Sequence, residues 1–209
     1  MIVRCLLAAV LLLLTAMPVG AADRAPDRAQ GDSGAAWGGP TTEYAADMVF
    51  TDDRGRSRTA RLYYTAQRQR LEFASGKEVV AMIYDRAAGR AFQLLLSRRS
   101  WRPVDGAAPQ FNFGLSDPAS KREKLGEETM AGMAVTKYRV ASRSAAGDRF
   151  SGLAWATGHR IVVRMEGAVV RGAQKQPLTL VLQNLKIGPV DPALFAVPAG
   201  YRQLPPMRN

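Results

Sequence analysis

Residues 44–73 read YAADMVFTDDRGRSRTARLYYTAQRQRLEF, and the period of their apolar side chains decides the fold class. Tyr44, Ala46, Met48 and Phe50 alternate with Ala45, Asp47 and Val49 over the length of one strand. The turn residues Asp52-Asp53-Arg54-Gly55 follow, and the alternation resumes over Thr59 to Thr65 and Arg68 to Ala74. Leu62 and Tyr64 share one face, Arg61 and Tyr63 the other, and Leu71 and Phe73 flank Glu72. A period of two places alternate residues on opposite faces, so this stretch predicts three hairpin-joined antiparallel strands.

The same logic extends downstream. Ser75-Gly76-Lys77 is a turn, Val79 to Tyr84 is a dense apolar run, Asp85 to Gly89 turn again, Arg90 to Leu96 form a further strand, and Trp101 continues the sheet past Arg98-Arg99. From Pro103 to about Ser120 the chain holds Pro103, Gly106, Pro109, Gly114 and Pro118, too many breakers for a strand. That segment also carries Phe111, Phe113 and Leu115, so it reads as a loop or short helix with an apolar face, placed to plug the sheet or cover a site. Strands resume at Gly126–Thr129, Val135–Ala141, Phe150–Thr157, Ile161–Glu166 and Leu178–Leu185. Roughly ten short, evenly spaced strands predict a mainly β fold. The expected form is a single curled antiparallel sheet in an unclosed β-barrel, with one or two short helices.

Upstream, Met1 to Arg4 carry positive charge, Leu6 to Leu14 form an unbroken apolar run, and Pro18, Gly20, Ala21 and Ala22 precede Asp23. These are the three regions of a cleavable signal peptide, with cleavage expected after Ala21 or Ala22. The apolar run falls short of the ~20 residues a membrane-spanning helix needs. Residues 1–22 therefore read as signal peptide, 23–40, rich in Ala, Gly, Asp and Arg, as a flexible leader, and 41–209 as one antiparallel β domain. The only cysteine, Cys5, lies inside the signal. The mature chain would then lack a thiol for a disulfide, a metal site or lipid attachment, and would be periplasmic without a lipid anchor.

Lys and Arg number 29 against 18 Asp and Glu, for a net charge of +11. The excess favours anionic partners such as a membrane surface. The basic residues are spread along the chain, with Arg98, Arg99 and Arg102 the densest group, which is the pattern of solvated strand faces rather than of a nucleic-acid site. Catalytic chemistry finds little to work with. His159 is the only histidine and sits in a Gly-His-Arg turn, no G-x-S-x-G elbow or phosphate-binding loop occurs, and Asp52-Asp53 and Glu127-Glu128 are neighbours whose side chains point to opposite faces of a strand. No enzyme activity, metal or cofactor is expected.

Two groups of residues carry a family likeness. Leu125-Gly126-Glu127-Glu128, then Gly132 and Thr136-Lys137-Tyr138, form one. Asn184-Leu185-Lys186-Ile187-Gly188, Asp191-Pro192, Leu194-Phe195 and Val197-Pro198-Ala199-Gly200-Tyr201 form the other. Together with Tyr44 to Thr51 and Arg70 to Glu72 they resemble exported domains of the DUF4412 group. That group is similar at fold level to the periplasmic lipoprotein carrier and outer-membrane lipoprotein receptor (LolA/LolB-like) proteins. The resemblance implies a curled sheet around an apolar cavity for a lipid, an acylated protein or another apolar ligand. Each of these glycines and aromatics also suits an ordinary turn or core position.

Alternation then assigns the candidate ligand-binding residues. Met48, Phe50, Leu62, Tyr64, Leu71 and Phe73 line the concave face, and Phe111, Phe113 and Leu115 cover its mouth. The same side chains equally fit a closed, packed interior, because a small barrel is narrow enough to be filled by its own residues. The positive charge and basic leader suit a different role, a non-enzymatic envelope sensor or adaptor that contacts a protein partner or an anionic surface.

Overall fold

The computed structural model describes residues 39–104, 120–143 and 149–206. Twelve strands account for most of them: β1 (Tyr44–Thr51), β2 (Ser57–Tyr64), β3 (Arg68–Ser75), β4 (Glu78–Asp85), β5 (Arg90–Leu95), β6 (Ser100–Val104), β7 (Lys121–Met130), β8 (Met133–Arg143), β9 (Arg149–Thr157), β10 (Val162–Arg171), β11 (Gln174–Ile187) and β12 (Arg202–Gln203). The helical elements among the described residues are two 3-10 turns, Leu96–Arg98 and Pro192–Phe195. The expected signal peptide, nearly all of the expected leader, and Phe111, Phe113 and Leu115 lie outside the described residues.

All twelve strands form one unclosed sheet in the order β12-β6-β5-β4-β3-β2-β1-β11-β10-β9-β8-β7. One meander runs from β1 out to β6, a second returns from β7 to β11, and the long β11 joins them by pairing with both β1 and β10. Every pair is antiparallel except β12 with β6. The sheet curls on itself. Leu71 of β3 and Val140 of β8 belong to one buried cluster although five strands lie between theirs in the sheet.

Register and the two-residue period separate the faces. Tyr44, Ala46 and Met48 of β1 face inward with Leu62 and Tyr64 of β2, Leu71 of β3, Leu180 and Leu182 of β11, Met165 of β10, Ala154 of β9 and Val140 of β8. The outer face differs between the two halves. Over β7 to β10 it faces solvent and carries cross-strand ion pairs, Glu123 with Arg139 and Glu128 with Lys137. There the Trp155 ring lies beneath Lys137 and Arg164 and donates from Nε1 to Glu128 at 2.9 Å. Over β4 and β5 the outer face is apolar, presenting Ala81, Ile83, Phe92 and Leu94, which explains why Val79 to Tyr84 does not alternate; Tyr63 of β2 joins them across the Arg70–Glu72 ion pair of β3.

The C-terminal segment covers that second surface. After β11 the chain turns at Gly188 and runs as a strap across the outside of the sheet, setting Val190, Leu194, Phe195, Val197 and Tyr201 against Ala81, Ile83 and Leu94. Polar bonds hold it in place. Glu43 accepts from Gly188 N through its carbonyl and from Val190 N through its carboxylate, and Arg70 donates to the Leu194 carbonyl at 2.6 Å. The strap ends at the sheet edge, where β12 pairs with Ser100 and Trp101, and Leu204 tucks round onto the inner face beside Val80 and Leu95.

Trp101 continues the sheet past Arg98-Arg99: the chain reverses through the 3-10 turn, with Arg99 at φ 45°, and returns as β6 alongside β5. Two details differ from the sequence reading. Pro103 lies inside β6. It is tolerated because β12 pairs only with Ser100 and Trp101, so at Pro103 the far side of β6 is an open edge where a missing N–H breaks no ladder. β10 and β11 extend to Arg171 and back from Gln174, beyond the end of β1, in a two-stranded arm that buries little and so shows no apolar alternation.

Candidate functional site

The candidate site is the inner face of the curled sheet. Four of the predicted residues are fully shielded there: Met48 (0% exposed), Leu62 (2%), Tyr64 (2%) and Leu71 (1%). Phe50 and Phe73 pack against the same cluster but are only half-buried. They lie toward the end of the interior that also holds Leu178 and Val169, and these four side chains form an apolar rim. β1, β2 and β3 thus bring all six described candidates onto one surface. Sequence reasoning missed its other half, since Val80, Met82 and Leu95 extend it across β4 and β5, and Leu178, Leu180 and Leu182 across β11. In β11 the alternation that marks these leucines was legible; in β4 the doubly buried run concealed it.

Polar groups enter this face at a few places. Tyr44 stacks on Tyr64 with ring centroids 5.1 Å apart, and the Arg86 guanidinium lies 5.1 Å from the Tyr64 ring centre while donating to the Thr65 and Ala66 carbonyls. Burial first, and then the neighbouring Tyr64, push the Tyr44 hydroxyl well above its ordinary 10.0; burial does the same to Tyr84. Both phenols therefore hold their protons more tightly folded than unfolded. Their contribution to stability is complete below the unfolded value and falls as pH rises through and beyond 10.0. Urea unfolding should show a midpoint that drops between about pH 9 and about pH 11. In Tyr44→Phe the drop should be smaller; an unchanged pH dependence would remove Tyr44 from this account.

A second polar group lies at the β5–β6 side. Gln93 (5% exposed) sits beside Met82 on the inner face and accepts from Arg102 Nε at 2.6 Å. Two residues earlier on β6, Ser100 is 1% exposed and its hydroxyl has no hydrogen-bond partner. Gln69 of β3 likewise keeps a buried, unpartnered Oε1. The sequence grouped Arg98, Arg99 and Arg102, but the fold separates them: Arg98 is exposed and pairs with Glu78, Arg99 forms the turn, and Arg102 alone of the three is on the inner face.

On the outer surface an open hollow of about 340 Å³ lies between β1, β11 and the start of the strap, lined by residues that include Ala45, Tyr63, Ile187, Val190 and Leu194. Among the described residues no three His, Cys, Asp or Glu side chains converge as a metal site would require. His159 lies in the β9–β10 turn, where its carbonyl accepts from Thr41 N.

No family model matches the chain, and no curated protein matches it in sequence. Solved structures do resemble it. An uncharacterized conserved protein from Thermus thermophilus superposes with a TM-score of 0.51 at 15% identity, over 79% of this chain and 91% of that one. MucB gives 0.49 at 15% identity over 77% of this chain. This chain spans 59% of the length of MucB, which has also been solved as the MucA/MucB complex of Pseudomonas aeruginosa. The lipoprotein LppX of Mycobacterium tuberculosis gives 0.40 at 13% identity, over 73% of this chain and 90% of LppX. At this identity the likeness to the Thermus protein is one of fold alone.

Proposed function

We propose that this chain is an exported, non-enzymatic carrier or binding protein for a lipid, an acylated protein or another apolar ligand, acting in the cell envelope. The observation that carries the reading is the continuous apolar inner face of an unclosed sheet, with Phe50, Phe73, Val169 and Leu178 left half-buried at its rim. A sheet built only to be packed gains about 25 cal/mol for each Å² of apolar surface it buries. Two phenylalanines held partly open on the face that is otherwise most shielded are the feature expected of a surface completed by a ligand. The signal-like N-terminus agrees with an envelope location.

The test is native mass spectrometry of the mature protein purified from its own periplasm, followed by lipid extraction and titration with a fluorescent fatty acid. A bound acyl species, or saturable uptake weakened severalfold by Phe50→Ser, is the expected result. A clean apo mass together with no uptake would overturn the carrier reading.

A different reading, an adaptor that contacts a protein partner or an anionic surface, has its own support in the net charge of +11 and in β7, a ten-residue strand at the sheet edge with Leu125 exposed. Its Lys, Arg and Glu side chains and the bulge at Gly126 oppose indiscriminate pairing. This reading predicts association with anionic vesicles that weakens steeply with salt.

A further inference from the structure

We infer that the inner face recognises long-chain amphiphiles by an anionic head group, a carboxylate or a phosphate, and that Arg102 is the residue that holds it. The inference rests on the carrier reading and names its ligand class. Across the sheet the paired residues Leu62, Leu71, Met82, Gln93 and Arg102 form one inward row from β2 to β6. Three apolar positions are followed by an amide and then a guanidinium. At the usual strand spacing that row runs about 19 Å along the curve of the sheet, the length of a long acyl chain.

Arg102 is placed for this role in three respects. Its Nε is committed to buried Gln93, which orients the guanidinium and leaves its two terminal nitrogens for a planar anion. No carboxylate among the described residues pairs with it, although carboxylates pair with Arg56, Arg61, Arg68, Arg70, Arg90, Arg98, Arg139 and Arg164. Ser100, two residues away on the same face of β6, buries a hydroxyl with no partner. A buried hydroxyl left unpaired is destabilising, and a head-group oxygen beside Arg102 would satisfy it. An acyl chain anchored there would reach the rim at Phe73 and Phe50 by parting the packing that shields Met82 and Leu71. A guanidinium without a carboxylate partner at one end of an apolar surface complements a fatty acid or an alkyl phosphate and disfavours a neutral wax or alcohol.

The experiment compares hexadecanoate, hexadecyl phosphate and hexadecanol binding to the mature protein by calorimetry, in wild type, Arg102→Gln and Arg102→Lys. Wild type should prefer one or both anionic ligands over the alcohol by about tenfold or more, the range of a charge-assisted hydrogen bond. The preferred anion distinguishes a carboxylate from a phosphate source. Arg102→Gln should lose that preference while binding hexadecanol as wild type does, and Arg102→Lys should keep part of it. Anionic preference that survives Arg102→Gln, or equal wild-type binding of all three ligands, overturns the head-group assignment and leaves the carrier reading standing. Binding of none of the three defeats the carrier reading itself.

Discussion

Phe195→Ala should lower the unfolding free energy by about 3–5 kcal/mol, the range for removing a buried phenylalanine. Phe195 is 6% exposed and is the anchor of the strap. Beneath it Ala81, Ile83 and Leu94 are all at 0% exposure although they lie on the outer face of the sheet. Their burial depends on the strap, because no second layer of sheet or helix among the described residues covers that side. Losing the anchor removes the Phe195 contacts and uncovers a patch that a curled sheet cannot bury by itself. The ties that remain include the partly buried Val190, Leu194, Val197 and Tyr201, the β12–β6 pairing, and charged hydrogen bonds from Arg70 to the Leu194 carbonyl and from the Val190 amide to Glu43, worth about 1.5–3 kcal/mol each; they hold the strap's ends without filling the space that Phe195 leaves. Urea unfolding followed by tryptophan fluorescence measures the loss, and binding of an environment-sensitive dye in the absence of urea reports the uncovered patch. A cost below about 1 kcal/mol would mean that the strap is only laid on the sheet. Ligand affinity of the folded protein should not change, since the strap and the inner face are on opposite sides.

Gly152→Val should cost about 3 kcal/mol or more, at the upper end for overpacking. Gly152 and Gly167 face each other across β9 and β10, and the Phe150 ring lies over both. A Cβ on Gly152 would sit 2.1 Å from the Glu166 carbonyl oxygen, 2.7 Å from Gly167 Cα and 2.9 Å from Phe150 Cζ. Two of those neighbours are backbone, so relief requires β9 and β10 to part. For this reason Phe150→Ala, which clears only the ring, should not rescue Gly152→Val. Trp155, three residues along β9, provides the fluorescence signal for the unfolding curve. Rescue by Phe150→Ala would show that the ring alone forbids a side chain here. The arrangement also accounts for an aromatic at 150: with no side chains to pack, the glycine pair is covered by the diagonal neighbour.

Much of the architecture was legible because a half-buried strand writes its geometry into its own residues. Alternation alone places Met48, Leu62, Tyr64 and Leu71 on one face, and they are buried there. The tail motif was readable as a motif but not as a strap. Asn184 stands at φ 51° in the β1–β11 bulge, where its amide bonds Asp47, and Asp191 caps the turn that carries Phe195. The Asp191 cap is a local role, whereas the Asn184 bond joins residues 137 apart in the chain. That the segment crosses the outside of β2 to β5 is a long-range consequence of where β11 ends, beside the start of β1.

The sequence by itself determined the strand class, the turns and the inward set of side chains, because hydrophobic period and turn chemistry act over neighbouring residues. Only the tertiary structure decided which strands meet, that the sheet stays open between its β12 and β7 edges, and that β4 and the second half of β5 are buried on both faces. It alone also singled out Arg102 from its arginine neighbours. A side chain's electrostatic surroundings are set by residues distant in the chain, here Gln93 across one ladder and Met82 across two, and no local pattern of charge records them.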